Sequence, residues 1–292
     1  MVPRIVYVNG RYVPYAAARV HIDDRAYTFA DGVYEVVLIS AGRLIDEGPH
    51  LDRLERSLRE LRMDPPMPRR ALELVLREVI RRNHIGHGLG LVYLQMSRAV
   101  APRDHPFPAA PKTQFVAWAK ALPPQPAAFA ADGVKAISVP DNRWGRCDIK
   151  STGLLPNVLA KQAAREAGAY EAWLVDGEGF VTEGSSTNAW IITPAGELVT
   201  RGLDSGILAG VTRRTVVALA REEGLRFVER RFSLAEAKAA REAFITSASS
   251  FVLPVTQIDA AVIGNGKPGS LSLALRARYL KYATEEGEGR RP

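Results

Sequence analysis

The sequence predicts a mixed α/β fold of the α+β kind, arranged as two domains. Three observations lead there. Apolar segments of strand period alternate along the chain with segments of helical period. At 292 residues the chain is long enough for one large or two ordinary domains. The stretch 121–128, ALPPQPAA, is proline-rich and without periodicity, the composition of a linker. The expected division is a small N-terminal domain over 1–120, the linker 121–128, and a larger domain over 129–292.

Taken in order, residues 5–14 read as a hairpin, because Asn9-Gly10 between alternating residues suits a type I′ turn. Asp31-Gly32 precedes a strand at 33–39 that turns near Ala41-Gly42 and returns over 43–46. If that strand alternates, Tyr34 shares a face with Val36 and Leu38, as a core-edge residue or as a site wall. Leu51, Leu54, Leu58 and Leu61 recur at three- and four-residue spacing and predict an amphipathic helix over 50–61. A second helix is expected over 68–83, with strands at 90–99 and 113–119.

Beyond the linker a short strand at 134–139 leads into a loop and then a helix over 155–167. Pro156 fits the first helical turn, where its missing N–H has no partner in any case. Strands are expected at 171–175, 180–182 and 188–193, the first two joined by the tight Asp176–Gly179 turn. Residues 205–213, SGILAGVTR, open a helix running to about 223. Glycines ahead of a helix with Thr212 in its first turn make an anion-binding entrance, a weak signal by itself, and no GxxxxGK[ST] motif is present. Strands at 225–229 and 243–246, a small-residue turn at 247–250, a helix at 270–283 and a frayed charged tail complete the expectation.

Composition narrows the function classes. A hydrophobic fraction of 47% with 24% charged residues is that of a folded globular protein. The net charge of +7 is spread in short groups beside acids, which favours solvated helix faces over a nucleic-acid stripe, although such a protein can also attract anionic substrates. No RRM, KH or zinc signature is present. A lone cysteine, Cys147, fits a reducing compartment and reads as a small filler residue. The first residues, MVPRI, have no apolar h-region, and no apolar run approaches the roughly 20 residues of a membrane span. The expected location is cytoplasmic.

Two loops carry candidate chemistry. Residues 143–157, RWGRCDIKSTGLLPN, hold Lys150 on a strand-to-helix connection, where functional residues cluster but solvated lysines are commoner. Residues 100–108, VAPRDHPFP, are stiffened by three prolines. In an extended segment Arg103 and His105 face one way, a guanidinium and an imidazole suited to a carboxylate. The same residues also read as an ordinary solvated proline-rich loop.

Three segments together resolve these ambiguities: DIKS at 148–151, VTEGSSTN at 181–188 and LAGVTR at 208–213. In this order they resemble the fold-type IV pyridoxal phosphate enzymes, the class IV aminotransferases, over nearly the whole chain from the N-terminal hairpin to Ile263. Within that family the chain is most similar to members acting on D-amino acids. The resemblance implies a small N-terminal α/β domain and a larger domain with a barrel-like β core flanked by helices. It implies pyridoxal 5′-phosphate as cofactor, with pyridoxamine phosphate in the half-reaction, and Lys150 as the Schiff-base lysine and proton shuttle. It also implies Glu183 on the pyridine nitrogen and Arg53 on the phosphate. By the same resemblance Val211, Thr212, Ser247 and Ala248 would be further phosphate contacts, the last through backbone only. Leu208 would pack on the ring, Ser186 would lie in the cofactor motif, and Arg143 would tune the phenolic oxygen.

On the substrate side, Tyr34 with Arg103 and His105 resembles the family's carboxylate trap, whose Arg-x-His loop comes from the other subunit of a homodimer. The activity implied is ping-pong transamination between a D-amino acid such as D-alanine and 2-oxoglutarate, giving a 2-oxo acid and D-glutamate. Alternatives on the same fold are an (R)-amine transaminase, a branched-chain enzyme and an aminodeoxychorismate lyase. An alternative of another class is a basic binding module without chemistry. Neither a nucleic acid nor a membrane is expected as a partner.

Overall fold

The computed structural model describes residues 4–287. The chain divides into two compact units. Among the described residues, the first runs to Pro124 and takes in Ile149–Gly153 and 283–287; the second comprises Gln125–Asp148 and Leu154–Tyr282.

In the first unit, β1 (Ile5–Val8) and β2 (Arg11–Pro14) form the expected hairpin, with Asn9 and Gly10 both at positive φ, 44° and 93°. A short helix α1 (Arg25–Phe29) precedes β3 (Gly32–Ser40) and β4 (Arg43–Leu44). Helices α2 (Glu47–Glu60) and α3 (Arg69–Arg82) follow, then β5 (Leu89–Ser97) and β6 (Gln114–Ala121). The six strands make one antiparallel sheet in the order β2-β1-β6-β5-β3-β4.

Strand alternation sorts the first half of β3, while Leu38 and Ser40 further along are buried as well. Val33, Val37 and Ile39 join the core with Leu51, Leu54 and Leu58 of α2 and Leu72, Leu76 and Val79 of α3. Replacing Leu54, 1% exposed, by alanine would cost on the order of 2–5 kcal/mol through the cavity left behind. Tyr34 and Val36 point to the opposite, half-exposed face.

The second unit begins with α4 (Ala127–Ala131) and β7 (Val134–Pro140). It continues through α5 (Leu155–Glu166), β8 (Glu171–Val175), β9 (Val181–Gly184), β10 (Asn188–Ile192) and β11 (Leu198–Thr200). Helix α6 (Val211–Glu222), β12 (Phe227–Glu229), α7 (Leu234–Lys238), β13 (Glu242–Ser247), β14 (Phe251–Ile258), β15 (Ala261–Val262) and α8 (Ser270–Gly287) complete it. The main sheet runs β12-β11-β10-β13-β14-β7-β8-β9, with β15 paired to β14.

Edge strand β9 also packs against β10, and Gly184 N–H donates to Thr187 O at 2.7 Å across the turn between them. The sheet therefore curls into a barrel-like core. Trp173, Ile191, Phe232, Ile245 and Leu253 fill it.

Three departures from the sequence reading have local causes. Strand β14 was not expected, because Pro254 breaks the pattern and cannot donate to a ladder; in the structure Pro254 lies opposite Phe244, in a strand flanked by β13 and β7. Strand β11 has three residues, too few for a period to show. The tail expected to fray is helical through Gly287, and its remainder, like Met1–Pro3, lies outside the described residues. Among the described residues no helix is long and apolar enough to cross a membrane.

Candidate active site

The candidate residues fall in both units. In the first, Ile149–Gly153 runs along the start of β3. Tyr34 N–H donates to Lys150 O at 3.0 Å, Thr152 N–H to Gly32 O at 3.0 Å, and Val33 bridges Ser151. Buried Ile149 anchors the segment in the core, and Lys150 N–H reaches Ser57 Oγ at 3.3 Å. Both neighbours of Lys150 are fixed, so its side chain is aimed: Nζ lies 4.1 Å from the centroid of the Tyr34 ring. Tyr34 stacks on Tyr93, and Tyr93 on Trp118, at 5.7 and 5.2 Å between centroids. Burial pushes the Tyr93 phenol up to about 12, and its O–H donates to Gln95 Oε1 at 2.6 Å.

The residue after Tyr34 faces the other way. Glu35 is fully buried and accepts from Arg53 Nε and Nη2, both at 2.7 Å, and pairs with His50 Nδ1 at 2.8 Å. Burial alone would raise the Glu35 carboxyl, but the Arg53 guanidinium and the His50 hydrogen bond outweigh it and hold it at about 2. Burial lowers His50, against the pull of Glu35. Arg53 is thus gripped on one edge of its guanidinium. Sequence inspection did not pick out Glu35; a lone carboxylate at an inward position of an apolar strand was the available signal.

Arg103 and His105 lie on the exposed loop between β5 and β6. The Arg103 guanidinium is 5.0 Å from the Phe29 ring centroid, and the His105 ring 5.3 Å. Among the described residues, no hydrogen bond or ring contact links either to Tyr34 or Lys150.

In the second unit Glu183, 5% exposed, is the centre of a cage. Its carboxylate accepts from Arg143 Nη1, from Asn188 Nδ2 at 3.0 Å and from Leu208 N–H at 3.2 Å. Arg143 also donates to Asp141 at 2.9 and 2.8 Å and to Gly206 O at 2.9 Å. Burial acts to lower Arg143, yet Asp141 and Glu183 leave it raised. Burial would likewise raise Asp141, and Arg143 takes it below the usual range. Asn188 ties the cage together, since its amide also donates to Leu208 O at 3.0 Å.

A β-carbon on Gly210 would meet Asn188 Oδ1 at 2.0 Å, so a side chain there would displace the Asn188 amide. Gly210 is the N-cap of α6 and no side chain caps the helix, whose first residues, Val211 and Thr212, are buried. The turn after β13 is closed by Ser250 N–H on Ser247 Oγ at 3.0 Å, with half-buried Ala248 offering backbone only. Ser186 is exposed, and its hydroxyl donates to buried Glu171 at 3.1 Å, as Thr187 does. Burial pushes the half-buried Cys147 thiol up to about 11, an inert state.

Each unit offers groups of its own. In the first, a primary amine with a fixed backbone can take an aldehyde and a buried arginine a phosphate monoester; in the second, a caged buried carboxylate can hold a protonated ring nitrogen and an uncapped 12-residue helix start an anion. These are the chemistries that a pyridoxal-phosphate enzyme uses.

The family model for class IV amino-transferases matches residues 32–258. The chain belongs to that family, the fold-type IV aminotransferases, and its cofactor is pyridoxal 5′-phosphate. It is 40% identical over 267 residues to the D-alanine aminotransferase of Bacillus licheniformis, covering 91% of this chain and 93% of the relative. With the D-alanine aminotransferase of Staphylococcus haemolyticus it shares 37% identity over 278 residues, 95% and 97% of the two chains. Among solved structures, a T.th. branched-chain amino acid aminotransferase, complexed with N-(5′-phosphopyridoxyl)-L-glutamate, superimposes with a TM-score of 0.87 at 28% identity, covering 99% and 96% of the chains.

Proposed function

We propose that the protein transaminates D-amino acids such as D-alanine with 2-oxoglutarate, yielding a 2-oxo acid and D-glutamate. The observation that carries this reading is the loop presenting Arg103 and His105 together on Phe29, in a chain 36–40% identical to D-alanine aminotransferases. Pyridoxal 5′-phosphate supplies an aldehyde for the amino group and a ring that stores the electron pair left when the Cα proton departs. Lys150 Nζ would hold the cofactor through its aldehyde and would move the proton between substrate Cα and cofactor C4′. Glu183 would keep a proton on the ring nitrogen. Arg143 would tune the phenolic oxygen, and by donating to the Glu183 carboxylate it also orients that group. Leu208 would pack on the ring, Arg53, Val211, Thr212, Ser247 and Ala248 would hold the phosphate, and Ser186 would complete the cofactor motif beside Glu183.

Tyr34, Arg103 and His105 bind the substrate carboxylate, and the loop of one protomer serves the site of the other in a homodimer. Two exposed apolar surfaces support this assembly. Val20, Ile22 and Tyr27 are 56%, 76% and 78% exposed, and Leu155, Val158 and Leu159 form an exposed stripe on α5. The lone, reduced Cys147 supports a cytoplasmic location.

A branched-chain activity is the second reading, favoured by the likeness to the T.th. enzyme. The test is the visible spectrum of the purified protein before and after D-alanine, with L-alanine, L-leucine and an (R)-amine as controls. Bleaching of the lysine-bound cofactor band by D-alanine alone is expected. A response to the L-amino acids or the amine instead would overturn the assignment of Arg103 and His105. Lys150→Ala should lose turnover by orders of magnitude while still binding the cofactor non-covalently; full activity in that variant would sink the mechanism.

A further inference from the structure

We propose that Arg25, with Phe29 one turn further along α1, is the positioning residue of the substrate-carboxylate loop. This rests on the reading of Arg103 and His105 given above. The loop has no regular structure and is largely exposed, so its own residues do little to fix it. Arg25 does. It is 4% exposed, and its guanidinium donates to three consecutive loop carbonyls: Asp104 O at 2.6 Å, His105 O at 3.2 Å and Pro106 O at 3.4 Å. The carbonyls held are those of the residues that flank and include His105, next to Arg103.

The guanidinium is itself fixed from behind. Arg25 Nε donates to Asp31 Oδ2 at 2.8 Å, and Asp31 is gripped a second time by Arg98 Nε and Nη2 at 2.7 and 3.0 Å. Arg98, 2% exposed, spends its other N–H groups on Leu61 O and Arg62 O at 2.8 and 3.1 Å, and lies 3.5 Å from the centroid of the Phe107 ring at the far end of the loop. One carboxylate between two buried arginines leaves one positive charge over, and the carbonyls at both ends solvate it.

The backbone closes the arrangement. Arg25 N–H donates to Ala99 O at 3.0 Å, Ala101 N–H to Asp23 O at 3.2 Å, and Asp24 bridges Val100. α1 thus holds the root of the loop by main chain and its tip by Arg25. Phe29 adds the surface: its ring faces the Arg25 guanidinium at 4.6 Å, Arg103 at 5.0 Å and His105 at 5.3 Å. An arginine is required, because a lysine's point charge cannot span Asp31 and three carbonyls at once.

The test uses the holoenzyme with D-alanine in steady state, comparing Arg25→Lys, Phe29→Leu, Arg103→Ala and the double variant Arg25→Lys/Arg103→Ala. Arg25→Lys and Phe29→Leu should each raise KM for D-alanine roughly ten- to a hundredfold, with kcat and the bound-cofactor spectrum much less changed. The double variant should be little worse than Arg103→Ala alone, since both act on one contact. Backbone hydrogen exchange over 101–108 should rise in Arg25→Lys while that of α2 stays the same. If Arg25→Lys fails to fold, the KM of Phe29→Leu decides. Multiplicative effects in the double variant, or an unchanged KM in the single ones, would overturn the role of α1. Should Arg103→Ala itself leave D-alanine turnover intact, the carboxylate reading falls and takes this one with it.

Discussion

Lys150 Nζ stands 4.1 Å from the centre of the Tyr34 ring, and the main chain of Tyr34 donates to the carbonyl of that same lysine. One residue therefore steers the amine twice, through its backbone and through its ring. The contact of ammonium with ring is worth about 0.5–2 kcal/mol. Tyr34→Phe keeps the ring and should leave the bound-cofactor spectrum intact. It removes the hydroxyl assigned to the substrate carboxylate, so KM for D-alanine should rise about tenfold, the value of one charge-assisted hydrogen bond. Tyr34→Ala should in addition lower kcat. Equal kinetics for wild type and Tyr34→Phe would remove the hydroxyl from substrate binding.

Glu35 pairs with Arg53 in the interior of the first unit. Glu35→Gln removes the buried carboxylate to which Arg53 donates twice, which costs on the order of 3–5 kcal/mol. The expected outcome is a lower melting temperature together with a weaker affinity for pyridoxal 5′-phosphate, since Arg53 loses the partner that orients it. A melting temperature that falls with cofactor affinity unchanged would confine the pair to stability.

The same cluster sets an acid limit. His50 is lowered from its usual 6.5 by burial, so below about that pH the unfolded chain takes the proton first and stability declines. Glu35, held at about 2 rather than 4.5, contributes stability that is complete above 4.5 and is lost as pH falls toward 2, on the order of 3 kcal/mol. Melting temperatures measured across this range should fall steadily from pH 6.5 downward. In Glu35→Gln the part below 4.5 should flatten; an identical slope would clear Glu35 of the effect.

Gly210→Ala forces a methyl onto Asn188 Oδ1, and Asn188 can yield only by releasing Glu183 or Leu208 O. Turnover should drop roughly 10²-fold, near the effect of removing Glu183's charge by Glu183→Gln. Asn188→Ala with Gly210→Ala should recover part of the loss by opening space. Wild-type activity in Gly210→Ala would show that the cage tolerates a shift of this size.

The class of fold was legible because its signals are local. Asn9-Gly10 specifies its turn by backbone sterics, the leucines of α2 declare a buried face by spacing, and Pro156 marks the first turn of α5. The family rested on short motifs around Lys150, Glu183 and Gly210, where chemistry restricts residue choice. Strand β14 was not legible, because Pro254 contradicts the local rule and the barrel's packing overrides it.

The sequence by itself determined the family, its cofactor class, and the residues that make up most strands and helices. Only the tertiary structure decided which distant groups meet: that Ile149–Gly153 runs beside β3, that Glu35 turns inward to Arg53, that Arg143 donates to Glu183, and that Arg25 holds the carbonyls around His105. Periodicity records which face of an element is apolar. The partner of a buried charge is chosen when packing excludes water and each polar group must find whatever donor or acceptor the fold has brought within reach.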